Sequence, residues 1–199
     1  MTRTKSSIII LLLFCSSQIF SQTWDKITPR FSTGDSSFEY WDVSFVSKEI
    51  GWYVARTIPS KIFKTSDGGY HWILKTQSTG DLFHLFALDS LHVWIRNGYH
   101  LIKFTSDGGQ TWDSTYFDQP SDGPLFFFTP QDGIAFGRYL FATSDGGKTW
   151  VVKNSNDSVI ISSAQHVSFA DRKHGWVGGP SPLTTDAGKA TLRFRHAPE

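Results

Sequence analysis

The sequence predicts an all-β protein built from short strands, and both its composition and an internal repeat indicate this. Aromatic residues make up 16% of the 199 residues, with 17 Phe and eight Trp. The chain has 17 Gly and 15 Asp, but only three Glu. Phe and Trp suit strands, Gly and Asp suit turns, and Glu favours helices, so this balance disfavours a helical protein.

One eight-residue phrase, Thr-Ser-Asp-Gly-Gly-x-x-Trp, occurs three times, and a weaker copy follows at residues 184–189. The phrase is too long and too regularly spaced to recur by chance. Periods near 40 residues are typical of propeller blades or of helical arrays. The spacings are 40, 38 and 41 residues between the successive aspartates Asp67, Asp107, Asp145 and Asp186.

The interior of each repeat favours the propeller. Every repeat contains four short runs of apolar, aromatic or β-branched residues, separated by Gly, Asp, Ser and Pro. Four strands in about 40 residues make one blade of a β-propeller. We therefore predict about four antiparallel four-stranded blades within residues 23–192, as a partial propeller or a small closed ring. The repeats span about 40–76, 82–117, 125–154 and 166–192.

The repeated phrase has a mechanical meaning. Asp-Gly-Gly between two strands is a hairpin signal, because Gly tolerates positive φ and Asp can accept backbone N–H bonds in its own turn. The Trp that follows is large enough to pack between sheets. An active site is made once, whereas these residues recur in every repeat, so we assign them a structural role. They are Thr65, Asp67, Gly69, Trp72, Thr105, Asp107, Gly109, Trp112, Thr143, Asp145, Gly147, Trp150 and Asp186.

The phrase resembles the Asp-box, or BNR repeat, whose pattern is Ser/Thr-x-Asp-x-Gly-x-Thr-Trp. With Gly-Trp near the second strand, the longer unit is similar to the repeats of Ycf48- and Hcf136-type photosystem II assembly factors. The resemblance covers about residues 40–190, and it departs from the pattern at His71 and after Gly188. It implies a β-propeller, but Asp-boxes occur in sialidases, other glycosidases, sortilin-type receptors and non-enzymatic assembly factors alike.

The first 22 residues are typical of a secretory signal peptide. Arg3 and Lys5 precede the apolar run 8–14, and small residues follow it near the expected cleavage point at Ser21 or Gln22. The run is too short to span a bilayer. We expect an exported protein that is periplasmic, at the cell surface or extracellular. Residues 12–15 resemble a lipoprotein signal, but such signals want a small residue before the cysteine, and Phe14 is large. We therefore favour removal of Cys15, the only cysteine, with the signal, and keep its lipidation as the alternative.

The number of blades stays open. Residues 23–25 read as the end of a fourth strand and could complete the last blade, which would close a ring of four. Asp-box families usually have six blades or more, and the tail 193–199 fits no strand of the repeat, so we favour a truncated propeller. Its open sheet faces predict self-association.

Arginines provide the sharpest candidate site. Arg56, Arg96 and Arg138 each follow a predicted second strand, and they would lie near one rim on three adjacent blades. Guanidinium groups bind carboxylates bidentately, so we expect a patch for an acidic partner. Sialidases hold a substrate carboxylate with three arginines, but no accompanying catalytic pattern is found. The candidate catalytic carboxylates outside the repeated phrase are Glu39, Asp42, Glu49, Asp81 and Asp122.

Other classes of function find no support in the sequence. The net charge of +1 and the lack of a basic–aromatic stripe argue against a nucleic-acid partner. No metal-ligand spacing or phosphate loop occurs, so we predict no cofactor and no metal. We expect a non-enzymatic binding or assembly module with a protein or glycan partner. The alternatives are a fragment of an exo-acting, sialidase-like glycosidase and a carbohydrate-binding adhesion propeller.

Overall fold

The computed structural model describes residues 28–34, 39–117, 123–153, 164–172, 174–179 and 190–192, and these contain strands and no helix. Sixteen strands are formed: β1 (Arg30–Phe31), β2 (Glu39–Phe45), β3 (Gly51–Arg56), β4 (Ser60–Thr65), β5 (His71–Ser78), β6 (Leu82–Ala87), β7 (Val93–Asn97), β8 (Leu101–Thr105), β9 (Asp113–Tyr116), β10 (Leu125–Phe127), β11 (Gly133–Ala135), β12 (Leu140–Thr143), β13 (Val151–Lys153), β14 (His166–Phe169), β15 (Gly175–Gly178) and β16 (Ala190–Leu192).

The strands form four consecutive sheets, one for each predicted repeat. Strands β2–β5, β6–β9 and β10–β13 each make an antiparallel meander, and β14–β16 make the fourth sheet. The innermost strands of adjacent sheets, β2 with β6, β6 with β10 and β10 with β14, contact one another. This arrangement confirms the predicted all-β fold of four-stranded antiparallel blades in a partial propeller.

Two strands differ from the sequence prediction. In the fourth sheet the third strand is Ala190–Leu192, which pairs with β15. Leu192 lies opposite Gly175, the place that Thr65 takes opposite Gly51 in the first sheet. The run 190–192 contains no Pro, Gly or Asp, which suits a strand. The sequence pattern predicts this strand at 183–184, which lie outside the described residues. Asp186 lies outside the described residues.

The second difference is the short strand β1. It pairs in parallel with β5, so that Arg30 lies opposite His71 and Phe31 opposite Trp72. This places Phe31 on the outer face of the first sheet. The strand predicted at 23–25 and the signal peptide predicted at 1–22 lie outside the described residues, as does the tail 193–199.

Alternate residues of each sheet face the preceding and the following sheet. Trp52 and Val54 of β3 are fully buried toward the second sheet, while Tyr53 and Ala55 point to the other side. The same alternation separates Trp94 from Ile95 in the second sheet. The core is therefore divided into layers between neighbouring sheets.

Where the first and second strands of a sheet pair, a large side chain on one strand lies opposite a small residue on the other. A Cβ at Gly51 would come within 2.7 Å of the Phe45 ring, and a Cβ at Gly133 within 2.5 Å of the Phe127 ring. In the second sheet the corresponding pair is Val93 opposite Ala87, so a larger residue faces a smaller one. Phe127 is 1% exposed, whereas Phe45 is 47% exposed.

This size matching predicts unequal effects of the same substitution in two sheets. Gly133→Val should lower the free energy of unfolding by about 1–3 kcal/mol, because the buried Phe127 ring cannot move aside. Gly51→Val, the matched control, should cost clearly less, because the exposed Phe45 ring can rotate into solvent. Urea unfolding of both variants measures the difference, and equal losses would contradict the packing described.

Candidate functional site

The repeated turn is held by hydrogen bonds to its own aspartate. In the first sheet the Thr65 hydroxyl donates to Asp67 Oδ1 at 2.9 Å and accepts the Gly69 amide at 3.0 Å. Asp67 Oδ1 accepts the amide of His71 at 2.9 Å. The second and third sheets repeat this network, with hydroxyl-to-carboxylate distances of 2.8 Å in both turns. The residues that repeat it are Thr105, Asp107, Gly109, Thr111, Thr143, Asp145, Gly147 and Thr149.

These hydrogen bonds hold the carboxylates ionised. The amide and imidazole of His71 lower the pKa of Asp67 to about 2. The hydroxyl and amide of Thr111 hold the pKa of Asp107 well below its usual range. Burial raises the pKa of Asp145, but the bonds from Thr149 outweigh it and lower that pKa to about 2. Carboxylates occupied in this way are hydrogen-bonded within their own turns.

The glycine pair of the turn also receives a tryptophan from the preceding sheet. Both glycines have positive φ, 74° and 83° at Gly108 and Gly109, a region that side chains with a Cβ rarely adopt. A Cβ at Gly109 would lie 2.9 Å from the Trp52 ring. At the next junction Trp94 Nε1 donates to the Gly146 carbonyl at 2.8 Å. The turn therefore closes a hairpin and docks the neighbouring sheet.

The turns that join second to third strands lie at the opposite rim. We call this the hairpin rim and define it by residues 56–60, 97–100 and 136–139. Hydrogen bonds join the neighbouring sheets at this end. Asn97 Nδ2 donates to Ser78 Oγ at 2.7 Å, and Arg96 Nη2 donates to the Phe136 carbonyl of the third sheet. The repeated turns and the hairpin rim therefore occupy different ends of the sheets.

The structure separates the three predicted arginines. Arg56 and Arg138 are exposed on the hairpin rim. Arg96 is fully buried, where its Nε donates to the Gly123 carbonyl at 2.7 Å and its Nη2 to the Phe136 carbonyl at 2.9 Å. Its guanidinium ties the second sheet to the third, so the exposed patch contains two of the predicted arginines and not three.

Strand register explains this difference. Gly51, Val93 and Gly133 are equivalent, because each lies opposite the Thr that opens its repeated turn. Counted from them, Arg56 and Arg138 are both five residues on, but Arg96 is only three residues on. Side chains at this third residue after the reference position point between sheets. Counting strand register from the recurring turn threonine would have revealed the different position of Arg96 from the sequence alone.

Exposed apolar side chains accompany the two arginines. Ile58 is 103% exposed, Tyr99 58% and Tyr139 37%. The Arg138 guanidinium lies 5.9 Å from the Tyr139 ring centre. Sequence analysis missed these three residues, although each lies in the turn after a second strand. Together with the arginines they give the hairpin rim a mixed cationic and apolar surface.

The structure shows the contacts of two of the candidate carboxylates outside the repeated phrase. Asp42 Oδ2 accepts the Leu85 amide at 2.8 Å and so joins the first two sheets. Glu49 is exposed beside Lys48 at 3.3 Å. Asp122 lies outside the described residues. The described part of the chain contains no cluster of three His, Cys, Asp or Glu suited to a metal. It also contains no helix long and apolar enough to cross a membrane.

The lowered carboxylate pKa values predict acid sensitivity. A pKa below the unfolded value of 3.8 means that the unfolded chain binds more protons, so stability is present above that value and lost as pH falls toward about 2. The urea midpoint should drop over this window. The triple variant Asp67→Asn, Asp107→Asn, Asp145→Asn should be less stable at neutral pH and lose less on acidification. An equal acid loss in both proteins would contradict this assignment.

Comparison with known proteins supports the fold. No family model matches the chain. The chain is 28% identical over 123 residues to the photosystem II assembly lipoprotein Ycf48 of Synechococcus sp. (strain CC9902), which covers 55% of this chain and 35% of that protein. Among solved structures, Ycf48 from Cyanidioschyzon merolae matches 85% of this chain and 55% of its own, with a TM-score of 0.59 and 18% identity.

Two further structures have the same fold. Ycf48 bound to D1 peptide matches 78% of this chain and 55% of its own, with a TM-score of 0.53 and 17% identity. The computationally designed Ika4 protein matches 86% of this chain and 100% of its own, with a TM-score of 0.56 and 12% identity. The chain spans about a third of the length of the curated relative and about half of the Ycf48 structures. It is thus similar in sequence to part of Ycf48 and shares with it a β-propeller fold.

Proposed function

We propose that this chain is an exported, non-enzymatic Asp-box propeller module that binds an acidic segment of a partner protein on its hairpin rim. The observation that carries the proposal is the exposure of Arg56 and Arg138 beside Ile58, Tyr99 and Tyr139 on one rim. The repeated turns form the scaffold at the other end of the sheets.

The chemistry of this rim suits a peptide. Each guanidinium can bind a carboxylate through two parallel hydrogen bonds, which a lysine cannot do. Tyrosine supplies contact area at a small cost in conformational entropy, and Tyr and Arg are enriched where interfaces gain most of their energy. Arg56 and Arg138 lie on the first and third sheets, with Tyr99 on the sheet between them. The partner would therefore lie across three neighbouring turns.

The relatives point to the same class of function. The curated relative is named as a photosystem II assembly lipoprotein, and one matched structure is Ycf48 bound to a D1 peptide. We extend to this chain the binding of a protein segment and a role in assembling a larger complex. Export and a mature start near Ser21 or Gln22 are part of the proposal, on the strength of the signal-like residues 1–22.

A binding module fits the described residues better than a glycosidase does. The repeated aspartates are occupied inside their turns, and Asp42 is bonded to the second sheet. Burial of Arg96 leaves two exposed arginines where a sialidase-like clamp would use three.

Removal of both rim arginines tests the proposal. The probes are a glutamate-rich peptide and a lysine-rich peptide of equal length, each labelled for fluorescence anisotropy. We expect the native chain to bind the glutamate-rich probe and not the lysine-rich one, with affinity that falls as salt rises. Arg56→Ala with Arg138→Ala should weaken binding about tenfold or more, because two charge-assisted pairs are lost.

The matched control removes two positive charges from the opposite rim. Lys148 lies in a repeated turn, and Arg172 pairs with Asp132 in a first-to-second-strand turn. Lys148→Ala with Arg172→Ala should leave peptide affinity within about twofold of the native value, since distant exposed charges are screened. Equal weakening by both double variants, or no binding of an acidic probe by the native chain, would overturn the proposal.

A further inference from the structure

The fourth sheet exposes Trp176 at a position where the other three sheets bury a large apolar side chain. Trp52, Trp94, Ile134 and Trp176 follow the equivalent first residue of their second strands. Trp52 is fully buried, Trp94 is 1% exposed and Ile134 is 8% exposed, each against the following sheet. Trp176 is 52% exposed on the last sheet of the described chain. It therefore has the position of an interlocking side chain, and the described residues form no sheet beyond it.

The third sheet shows what such a tryptophan packs against. The Trp94 ring stacks on Phe127, with ring centres 3.6 Å apart and planes 9° apart. Phe127 in turn meets Trp150 edge-on, with centres 5.9 Å apart and planes at 84°. A Cβ at Gly147 would lie 3.2 Å from Trp94 Nε1, so the glycine makes room for the indole. The receiving surface is thus a Phe–Trp pair beside a glycine turn.

The first sheet carries the same receiving surface on its outer face. Phe45 and Trp72 are 5.9 Å apart, with planes at 80°, which reproduces the pair of Phe127 and Trp150. Phe45 lies opposite Gly51 as Phe127 lies opposite Gly133. Its ring is 47% exposed. The turn glycine Gly69 is also present, with φ of 95°.

The N-terminal strand has already filled the other half of this surface. In the third sheet, Phe117 of the preceding unit packs on Phe141, with centres 4.7 Å apart and planes at 71°. On the first sheet, Phe31 packs on Phe63 in the same way, at 5.0 Å and 67°. Phe31 therefore takes the place of Phe117. The place that remains open over Phe45 is the one that Trp94 takes at the third sheet.

We propose that two copies of this chain associate head to tail, with Trp176 of one copy packed on the Phe45–Trp72 pair of the other. The two ends are complementary and not self-complementary, because one supplies the indole and the other supplies the pair that receives it. Such a contact is heterologous, so two copies close a ring when each end of one meets the other end of its neighbour. The four sheets that the described residues form in each copy make eight together, within the range of known propellers.

Complementation between two variants tests this contact. Trp176→Ser and Phe45→Ser each destroy one end, and Tyr116→Ser is the matched control, because Tyr116 is 65% exposed on an outer strand away from both ends. Sedimentation equilibrium should give the native chain and Tyr116→Ser at least twice the mass of one copy. Each end variant alone should be monomeric. An equimolar mixture of the two should form a dimer, because one intact pair of ends remains.

Other outcomes overturn the proposal. Dimers of Phe45→Ser alone would show that Trp176 meets itself. A native chain that stays monomeric at all concentrations would show that the ends meet within one copy or are covered otherwise. Association that persists in both end variants would place the interface elsewhere. Circular dichroism of each variant checks that the fold is retained, since both substitutions lie on exposed faces and should cost little stability.

Discussion

The packing of one large side chain into the glycine turn of the next sheet is the interaction on which the rest of this structure depends. Trp52 contacts Gly109, and Trp94 contacts Gly147 and bonds to the Gly146 carbonyl. A single four-stranded sheet has two faces to bury and little core of its own. Each sheet is therefore stable only in contact with its neighbours, as in other repeat proteins.

This interaction also explains why the two rims of the protein differ. The repeated turn must keep its shape to receive a tryptophan, and its Asp and Thr are hydrogen-bonded to each other within the turn. The turns of the hairpin rim do not have to keep a fixed shape to receive this tryptophan. Its turns vary in length and sequence, and exposed arginine and tyrosine side chains occur there. A rigid scaffold with variable loops at one end is a common basis for binding sites.

The features that recur in every sheet could be predicted from the sequence, whereas the contacts that occur once could not. The turn network around Asp107 follows from a local phrase, so its geometry could be inferred without knowing the fold. The burial of Arg96 depends on strand register and on carbonyl groups in another sheet, Gly123 and Phe136, which no local pattern reveals. Likewise, β1 pairs with the edge strand β5 and β16 pairs with β15, and neither pairing follows from the repeated phrase.

The most direct test of this account is hydrogen exchange of the backbone amides in Trp94→Ala, with Tyr116→Ala as the control. If neighbouring sheets are held together through the tryptophan, amides of the third sheet, that of Gly147 included, should lose protection, while the first sheet keeps most of its own. Tyr116→Ala should leave both sheets protected. Undiminished protection of the third sheet in Trp94→Ala, or an equal loss in all sheets, would contradict the central role of this contact.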